Sequence, residues 1–292
     1  MDVIGLGEAG CNIAECFKKY PQYNIYKIDV GVESDFDFIN HYDDGSGRVN
    51  SYFNVPKQRN AEDYEHNAPD LTHFFKNLRD EVIFIVGGSG SISGMTLSVL
   101  SQLRDKKIFL LYVRPKLKSL SGDSKLLERA TFGILQEYAR SGLFDRICVV
   151  GNDTIANHIG NLPVIGYFDK INDMIATTLH FVNVFERTDH IYGSVEERVP
   201  SCRVETMGLL DPETSEEKPF YDLDMVREKS YFYAFRNDRL LNESDLIGKL
   251  EGQVEEKRDK WLTRISYRLY STEYENNFGY FLSRTSKVQG EE

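Results

Sequence analysis

Two glycine-rich segments, each placed directly after an apolar run, constrain the fold of this chain more than any other feature. The first spans residues 5–12 (GLGEAGCN) and continues an apolar run that begins at Met1. The second spans residues 87–94 (GGSGSISG) and follows the run at 81–86, EVIFIV. Glycine lets the backbone approach a phosphate closely, and a helix that begins there offers unpaired N–H groups. The order strand, glycine turn, helix predicts phosphate-binding loops at one edge of a sheet.

Further apolar runs predict the sheet itself. Residues 81–86, 107–113 (KIFLLYV) and 146–150 (RICVV) are nearly continuous apolar runs, as expected of parallel strands that are buried on both faces. A stripe with helical spacing separates two of them and predicts the buried face of a helix: Leu127, Ala130, Thr131, Ile134, Leu135 and Tyr138. Strands that alternate with helices predict an α/β fold with a Rossmann-like parallel sheet.

The second part of the chain has a different pattern. A long helix is expected over residues 169–185, and its predicted inward face is Ile171, Ile175, Leu179, Val182 and Phe185. Residues 190–225 are polar and are expected to be rich in loops. An aromatic strand (230–235), a charged helix (243–260) and two alternating strands (265–270 and 279–282) should then form a smaller α+β domain.

These patterns predict three parts of the chain. Residues 1–167 would form the nucleotide-binding domain, residues 168–190 a central linking helix, and residues 191–292 the smaller α+β domain.

Composition and charge restrict the functional classes. A net charge of -11 argues against a broad nucleic-acid surface, which needs clustered Lys and Arg. No apolar run approaches the roughly 18 residues of a membrane-spanning helix, so no membrane insertion is expected. The four cysteines form no metal-binding spacing, and no secretory leader is evident. A cytoplasmic protein with reduced thiols is therefore expected.

The glycine segments alone leave the ligand open. Gly5, Gly7 and Gly10 match G-x-G-x-x-G, and Asp29 lies near the roughly 20-residue offset of a ribose-binding acid, as in an NAD-dependent oxidoreductase. The second segment lacks the G-x-x-x-x-G-K-[ST] pattern of an ordinary P-loop. Its serines and glycines nevertheless suit a polyphosphate, and a dehydrogenase normally has no such second loop. Either segment alone could also be a simple packing turn.

Polar and aromatic residues after later strands suit recognition of a base. Asn152 follows the run at 146–150, and Phe168 precedes Asn172 by one helical turn. An amide can donate to and accept from a purine edge, and an aromatic ring can stack on it. The alternatives are a helix cap at Asn152-Asp153 and core packing for Phe168.

Five segments in order resemble the tubulin/FtsZ superfamily. GEAGC followed by Ile13 resembles its first phosphate loop, and GGSGSISG resembles its GGGTGTG signature. RPKLKSLSG, followed by a helix containing Gly133-Ile134, resembles the ribose-loop region of FtsZ. GNDTIANHI and YFDKINDMI resemble the N-D-x-L segment and the start of the central helix. The resemblance covers residues 1 to about 185, and the short chain with its loose motifs would suit a plasmid or bacteriophage homologue.

The resemblance implies a GTP/GDP site, with Mg²⁺ as a possible companion of the triphosphate. Phosphates would be held by Gly7, Glu8, Ala9 and Gly10 of the first loop and by Gly88, Ser89, Gly90 and Ser91 of the second. The nucleotide would be read by Asn12, Asn152 and Asn172, and guanine would stack on Phe168. Lys125 occupies the place of an FtsZ arginine near the phosphate and ribose. The resemblance also implies self-association into filaments or oligomers, with the nucleotide between subunits.

One family element is missing. FtsZ carries N-x-D-x-x-D after the central helix, where its acids complete the site of the next subunit; this chain has RTDHIYGSVEE at residues 187–197. Glu196 and Glu197 are the candidate catalytic substitutes, and exposed loop glutamates are the alternative interpretation. The expected acidic ribose contact near Ser121 is also absent. Two hypotheses remain for this family: a GTPase whose acids come from a neighbouring subunit, and a structural relative that does not hydrolyse GTP.

Overall fold

The first β-strand, Asp2–Leu6, is buried along its whole length and pairs with parallel strands on both sides. In the computed structural model, which describes residues 1–31, 38–39, 48–161, 163–258 and 264–290, the chain divides into two compact units. The first unit is Met1–Thr177 and the second is Thr178–Glu291.

The first unit contains a mostly parallel sheet. Its strands are β1 (Asp2–Leu6), β2 (Asn24–Asp29), β3 (Phe38–Ile39), β4 (Asn50–Asn54), β5 (Glu81–Gly87), β6 (Lys107–Arg114) and β7 (Arg146–Gly151). They follow the order β3-β4-β2-β1-β5-β6-β7, and only the β3–β4 pair is antiparallel among these described strands. Leu6 pairs with Val86 and Val113 pairs with Val150, so the carboxyl ends of β1, β5, β6 and β7 lie along one edge. Ligands of open α/β sheets bind at such an edge.

Helices connect these strands. They are α1 (Gly7–Cys16), α2 (Ala61–His66), α3 (Thr96–Ser101), α4 (Gly122–Ser141) and α5 (Asn152–Ile159), and a longer helix, α6 (Tyr167–Arg187), follows them. Short 3₁₀ turns occupy Phe17–Lys19, Ser91–Met95 and Leu117–Ser119. The side chain of Ser121 caps the N-terminus of α4, and Gly142, with φ of 88°, ends it in the left-handed conformation that glycine favours.

The face of α4 that packs inward differs from the predicted stripe. Its buried residues are Glu128, Phe132, Leu135, Gln136 and Ala139. Of the six predicted positions only Leu135 is buried, whereas Ile134 is 41% exposed and Tyr138 is 37% exposed. The prediction was wrong because two polar residues occupy the buried face while several apolar residues lie on the outer one.

Helix α6 runs two residues further at each end than the sequence pattern predicts. Its predicted inward face is buried throughout: Ile171, Ile175, Leu179, Val182 and Phe185. No helix in the described part of the chain is both long and apolar enough to cross a membrane.

The second unit is built around a mixed sheet. Its strands are β8 (Tyr192–Ser194), β9 (Val204–Leu210), β10 (Glu217–Pro219), β11 (Glu228–Arg236), β12 (Arg264–Thr272) and β13 (Phe278–Thr285). The order is β9-β13-β11-β12-β8, with β10 paired to β9, and only β11 and β12 pair in parallel within this described set. After the end of α6, the described helices of this unit are α7 (Asn237–Asn242) and α8 (Leu246–Glu256).

Two expectations for this unit need correction. Residues 190–225 were expected to be rich in loops, and the buried strand β9 within them was not predicted. The charged helix expected over 243–260 begins later, at Leu246, and ends at Glu256; residues 259 and 260 lie outside the described residues. The broader expectation is confirmed: the chain has an α/β fold with a Rossmann-like parallel core, and a mixed sheet with helices follows.

Candidate functional site

A cavity of about 500 Å³ lies at the carboxyl edge of the parallel sheet, within the first unit. It is lined by Glu8, Ala9, Asn12, Ser89, Val113, Pro115, Lys116, Ser119, Leu120, Asn152, Asp153, Ala156, Asn157, Tyr167, Phe168 and Asn172. These residues lie at the end of β6, on the segments that follow β1, β5, β6 and β7, including α1 and α5, and at the start of α6. Seven of the residues predicted to bind nucleotide are therefore brought together around one cavity.

The first glycine loop places the N-terminus of α1 against this cavity. Gly7 has a φ of 71°, and a Cβ atom there would lie 2.7 Å from Cγ2 of Ile92 in the second loop. A Cβ on Gly10 would lie 2.4 Å from the carbonyl oxygen of Ile85. Gly7 and Gly10 are buried, while Glu8, Ala9 and Asn12 line the cavity. The two glycines thus allow the loop to pack tightly and leave their neighbours to face a ligand.

Two helix N-termini are available to an anion. Helix α1 begins at Gly7 and α5 begins at Asn152, and neither has a side-chain cap. The first backbone N–H groups of such helices have no intrahelical acceptor, and the helix dipole adds positive potential there. This is the environment in which phosphates bind in other α/β folds.

The second glycine loop does not present all of its predicted phosphate-binding residues to the cavity. The N–H of Gly88 donates a 3.2 Å hydrogen bond to the carbonyl of Val113, so it belongs to the sheet. The hydroxyl of Ser93 donates to the carbonyl of Gly90 at 2.7 Å and closes the turn. Ser89 lines the cavity, whereas Gly90 and Ser91 are exposed and lie outside its lining. Ser89 is therefore the residue of this loop best placed to meet a ligand.

The cavity lining also carries amides and an aromatic ring. Oδ1 of Asn152 is buried and has no hydrogen-bond partner among the described residues. Asn172 on α6 is 8% exposed, and Phe168, one turn before it, is 61% exposed. A buried unpaired acceptor costs free energy in the free protein, and a ligand N–H could satisfy it. The exposure of Phe168 argues against the alternative that this ring fills a core.

The structure separates Lys125 from the cavity and brings Lys116 to it. Lys125 lies in the first turns of α4, where its N–H bonds to the carbonyl of Ser121 at 2.9 Å, and it is not among the lining residues. Lys116 follows β6 and does line the cavity. It lies inside the RPKLKSLSG segment, so that motif could have indicated it, but no spacing rule singled it out.

Charges in the cavity lining are not predominantly positive. Glu8 and Asp153 are acidic, and Lys116 is the only cation among the described lining residues. Phosphate binding would therefore depend on backbone N–H groups more than on cationic side chains.

The candidate catalytic residues Glu196 and Glu197 lie in the second unit, between β8 and β9. The N–H of Glu196 donates to the hydroxyl of Ser266 at 2.9 Å, and its carboxylate lies 4.0 Å from Nε of Arg264. The carbonyl of Glu197 accepts a hydrogen bond from the same arginine. These contacts tie the segment to β12 and give Glu196 a structural partner.

Asp29, the residue that suggested a dinucleotide, ends β2. Its carboxylate accepts a 2.7 Å hydrogen bond from the N–H of Val30, and burial raises the pKa of the carboxyl group. It is not among the residues that line the cavity.

No cluster of three or more His, Cys, Asp or Glu side chains within the described ranges could hold a metal ion. A nucleotide-bound Mg²⁺ needs only one or two carboxylates, because phosphates and water supply its other ligands. Glu8 and Asp153 are the carboxylates of the cavity, so the lining is compatible with a cation carried by the nucleotide.

Comparison of the sequence with protein-family models and with curated proteins finds no match. Comparison of the fold with solved structures does find matches.

A GTPγS-form protofilament of TubZ from Bacillus thuringiensis serovar israelensis matches with a TM-score of 0.68 and 15% identity, covering 97% of this chain and 86% of that one. A two-stranded filament of TubZ-Bt matches with a TM-score of 0.64 and 16% identity, covering 97% of this chain and 83% of that one. An empty FtsZ dimer from M. jannaschii matches with a TM-score of 0.64 and 12% identity, covering 97% of this chain and 87% of that one. The resemblance indicated by the five motifs is confirmed at the level of the fold, and the low identities mark a divergent sequence. The chain has the fold of the tubulin/FtsZ superfamily.

Proposed function

We propose that this protein binds GTP and GDP in the cavity at the edge of its parallel sheet, and that it assembles with copies of itself. The observation that carries the proposal is the convergence on one cavity of residues from two glycine loops, four asparagine amides and an exposed aromatic ring. Its volume of about 500 Å³ is in the ordinary range for a small-molecule site.

The phosphates would lie at the N-terminus of α1 and beside Ser89. The first-turn N–H groups of α1 and the backbone and hydroxyl of Ser89 supply donors there, and Lys116 supplies a cation. Glu8 and Asp153 would face the Mg²⁺ that accompanies the triphosphate.

Guanine would lie between Asn152, Asn172 and Phe168. Guanine offers both donors and a carbonyl acceptor, which suits two amides; the unpaired Oδ1 of Asn152 would accept from the base or the ribose. Phe168 would stack on the base, and such stacking contributes roughly 1–3 kcal/mol per base.

Self-association is supported by two exposed apolar residues and by the fold. Val164 is 93% exposed and Ile165 is 91% exposed, close in sequence to Phe168. Apolar side chains on the surface beside a site are suited to being covered by a partner. Matching proteins of this fold were solved as protofilaments and as a filament. A homopolymer in the cytoplasm, with the nucleotide between subunits, accounts for these features.

Hydrolysis would require acids from the next subunit, and Glu196 and Glu197 are the candidates. In that case the hydrolysis rate per molecule rises with protein concentration. A second candidate function is nucleotide-dependent assembly without turnover. It is favoured by the 4.0 Å approach of the Glu196 carboxylate to Nε of Arg264, and by the backbone hydrogen bonds that join Glu196 to Ser266 and Glu197 to Arg264.

The experiment that tests the proposal is titration with fluorescent GTP, GDP, ATP and NAD, followed by light scattering with the tightest ligand. Preferred binding of the guanine nucleotides and nucleotide-dependent scattering are expected. Preferred binding of NAD would overturn the proposal in favour of an oxidoreductase, and no binding of any nucleotide would also overturn it. If GTP is hydrolysed, equal rates in Glu196→Ala, Glu197→Ala and the parent would remove both residues from the mechanism.

A further inference from the structure

A cluster of three buried polar side chains lies directly beneath the second glycine loop. Tyr112 and Arg114 are two residues apart on β6, so they project from the same face of the sheet. Both meet Glu128 of α4, which is fully buried. Nε of Arg114 lies 3.0 Å from Oε1 of Glu128, and the hydroxyl of Tyr112 lies 3.4 Å from the same oxygen.

The cluster touches the loop at Gly88. A Cβ atom built on Gly88 would lie 1.9 Å from the hydroxyl of Tyr112 and 3.1 Å from Cγ of Glu128. Val113, between the two β6 members of the cluster, accepts the N–H of Gly88 through its carbonyl. Gly88 is thus held by the backbone of β6 and rests against the Tyr112 hydroxyl, immediately before the cavity-lining Ser89.

Side-chain packing alone does not explain why the carboxylate of Glu128 lies at this buried position. A buried ion pair is often no more stable than apolar residues of the same volume, because both charges lose their hydration. Apolar packing is already present, since Phe132 stacks on Tyr112 at 5.1 Å between ring centroids and lies 4.5 Å from Cζ of Arg114. Burial raises the pKa of Tyr112 well above its ordinary value, so its hydroxyl keeps its proton.

We propose that Tyr112 and Glu128 are positioning residues of the nucleotide site, which fix Gly88 so that Ser89 presents its donors to a phosphate. Arg114 neutralises Glu128 and holds its carboxylate toward Tyr112. This inference rests on the proposed function. It adds a requirement beyond the glycine motif itself, because the position of the loop depends on side chains from β6 and α4.

The test compares Tyr112→Phe and Glu128→Gln with two matched controls from the outer part of α4. Tyr138→Phe and Glu137→Gln change the same functional groups, but Tyr138 packs on Phe144 and Glu137 pairs with Arg140 at the surface. Three quantities are measured for each variant: the affinity for N-methylanthraniloyl-GTP, the amide hydrogen exchange of residues 87–95 in nucleotide-free protein, and the urea midpoint.

For Tyr112→Phe we expect affinity to fall about tenfold, since the variant loses the hydroxyl that rests against Gly88 and bonds to Glu128. Exchange at residues 87–95 should accelerate while the urea midpoint stays close to that of the parent. Glu128→Gln should act in the same direction on affinity and loop exchange, and it should also lower the urea midpoint, because it removes the buried charge that faces Arg114. Both controls should match the parent.

Two results would overturn the inference: unchanged loop exchange in Tyr112→Phe and Glu128→Gln, or a fall in the urea midpoint with unchanged affinity and loop exchange. The latter would show a purely structural role. The exchange measurement needs no nucleotide. Failure of the parent to bind GTP would therefore count against the proposed function, whereas an unchanged loop would count against the inference.

Discussion

The backbone N–H of Gly88 donates a 3.2 Å hydrogen bond to the carbonyl oxygen of Val113. The first residue after β5 is therefore committed to the sheet, and the donors of the second glycine loop begin at Ser89. Gly88 is required for space, because the hydroxyl of Tyr112 occupies the position that a side chain would need.

Gly88→Ala should consequently be far more damaging than Gly90→Ala. A Cβ on Gly88 would lie 1.9 Å from the Tyr112 hydroxyl, whereas one on Gly90 would meet only Cγ2 of Ile92 at 3.8 Å, an ordinary contact. Overpacking of this kind costs about 1–3 kcal/mol. The urea midpoint measures the loss of stability, and the affinity for fluorescent GTP measures the damage to the binding loop. Equal behaviour of the two variants would contradict the steric role of Gly88.

Asn152→Ala should weaken nucleotide binding without destabilising the free protein. Oδ1 of Asn152 is buried without a hydrogen-bond partner in the described structure, so its removal relieves a cost of about 1–3 kcal/mol in the nucleotide-free state. The affinity for fluorescent GTP should fall about tenfold, as expected for one lost hydrogen bond. Thermal unfolding of the free protein should occur at the same temperature or higher.

The matched control for this variant is Asn276→Ala, because Asn276 is exposed in the second unit. It should leave both affinity and thermal unfolding unchanged. If Asn152→Ala bound GTP as tightly as the parent, Asn152 would have no part in the site.

Glu205→Ala should strongly destabilise the protein. Glu205 is 1% exposed, and its carboxylate accepts a 2.8 Å hydrogen bond from Nε of Arg284, which also contacts Glu186 and Ser230. Removing one member of a buried ion pair costs about 3–5 kcal/mol. The free energy of unfolding in urea measures it. Glu216→Ala, which removes an exposed pair with Lys218, should cost less than about 1 kcal/mol; similar losses in both variants would be contrary to this expectation.

Asp29→Asn should remove the free-energy cost of burying an ionised carboxylate, a cost that grows as pH rises. Burial raises the pKa of Asp29 in the folded state above its ordinary value of 3.8, so folding favours the protonated form. The protonated carboxyl of Asp29 therefore stabilises the folded protein at pH values below its pKa in the unfolded state. This stabilisation is lost as pH rises through its pKa in the folded state. Urea unfolding between pH 3 and pH 7 should therefore show the Asn variant gaining over the parent as pH rises.

For Asp70→Asn, the stability relative to the parent should change with pH in the opposite direction. Hydrogen bonds from the side chain and backbone of Thr72 lower the pKa of Asp70. The ionised carboxylate therefore stabilises the folded protein at neutral pH, and this stabilisation is lost on acidification. If the advantage of Asp29→Asn did not change with pH, a raised pKa for Asp29 would be ruled out.

The sequence predicted the apolar strands and both glycine loops because those signals are local. Residues 81–86 and 107–113 are apolar enough to indicate buried strands, and β5 and β6 are found there. The lining residues Asn152, Phe168 and Asn172 could be identified because each lies next to the end of a strand or the start of a helix.

The main errors have a shared physical cause. Glu128 and Gln136 lie on the buried face of α4, and Glu205 and Thr206 lie within the unpredicted strand β9. Polar residues are read as exposed unless a partner is known, and partners such as Arg114 and Arg284 are distant in the sequence. Hydrophobic periodicity contains no information about such pairs.

The charge of the cavity lining affects how a nucleotide would be captured. With Glu8 and Asp153 set against Lys116, on a chain of net charge -11, the protein offers no long-range attraction to a polyanion. Its helix dipoles and N–H groups act only over a few ångströms. Nucleotide would therefore be captured only on contact, against the net negative charge of the chain. The association rate should rise as ionic strength increases, whereas it falls for proteins that draw in phosphates with a positive field.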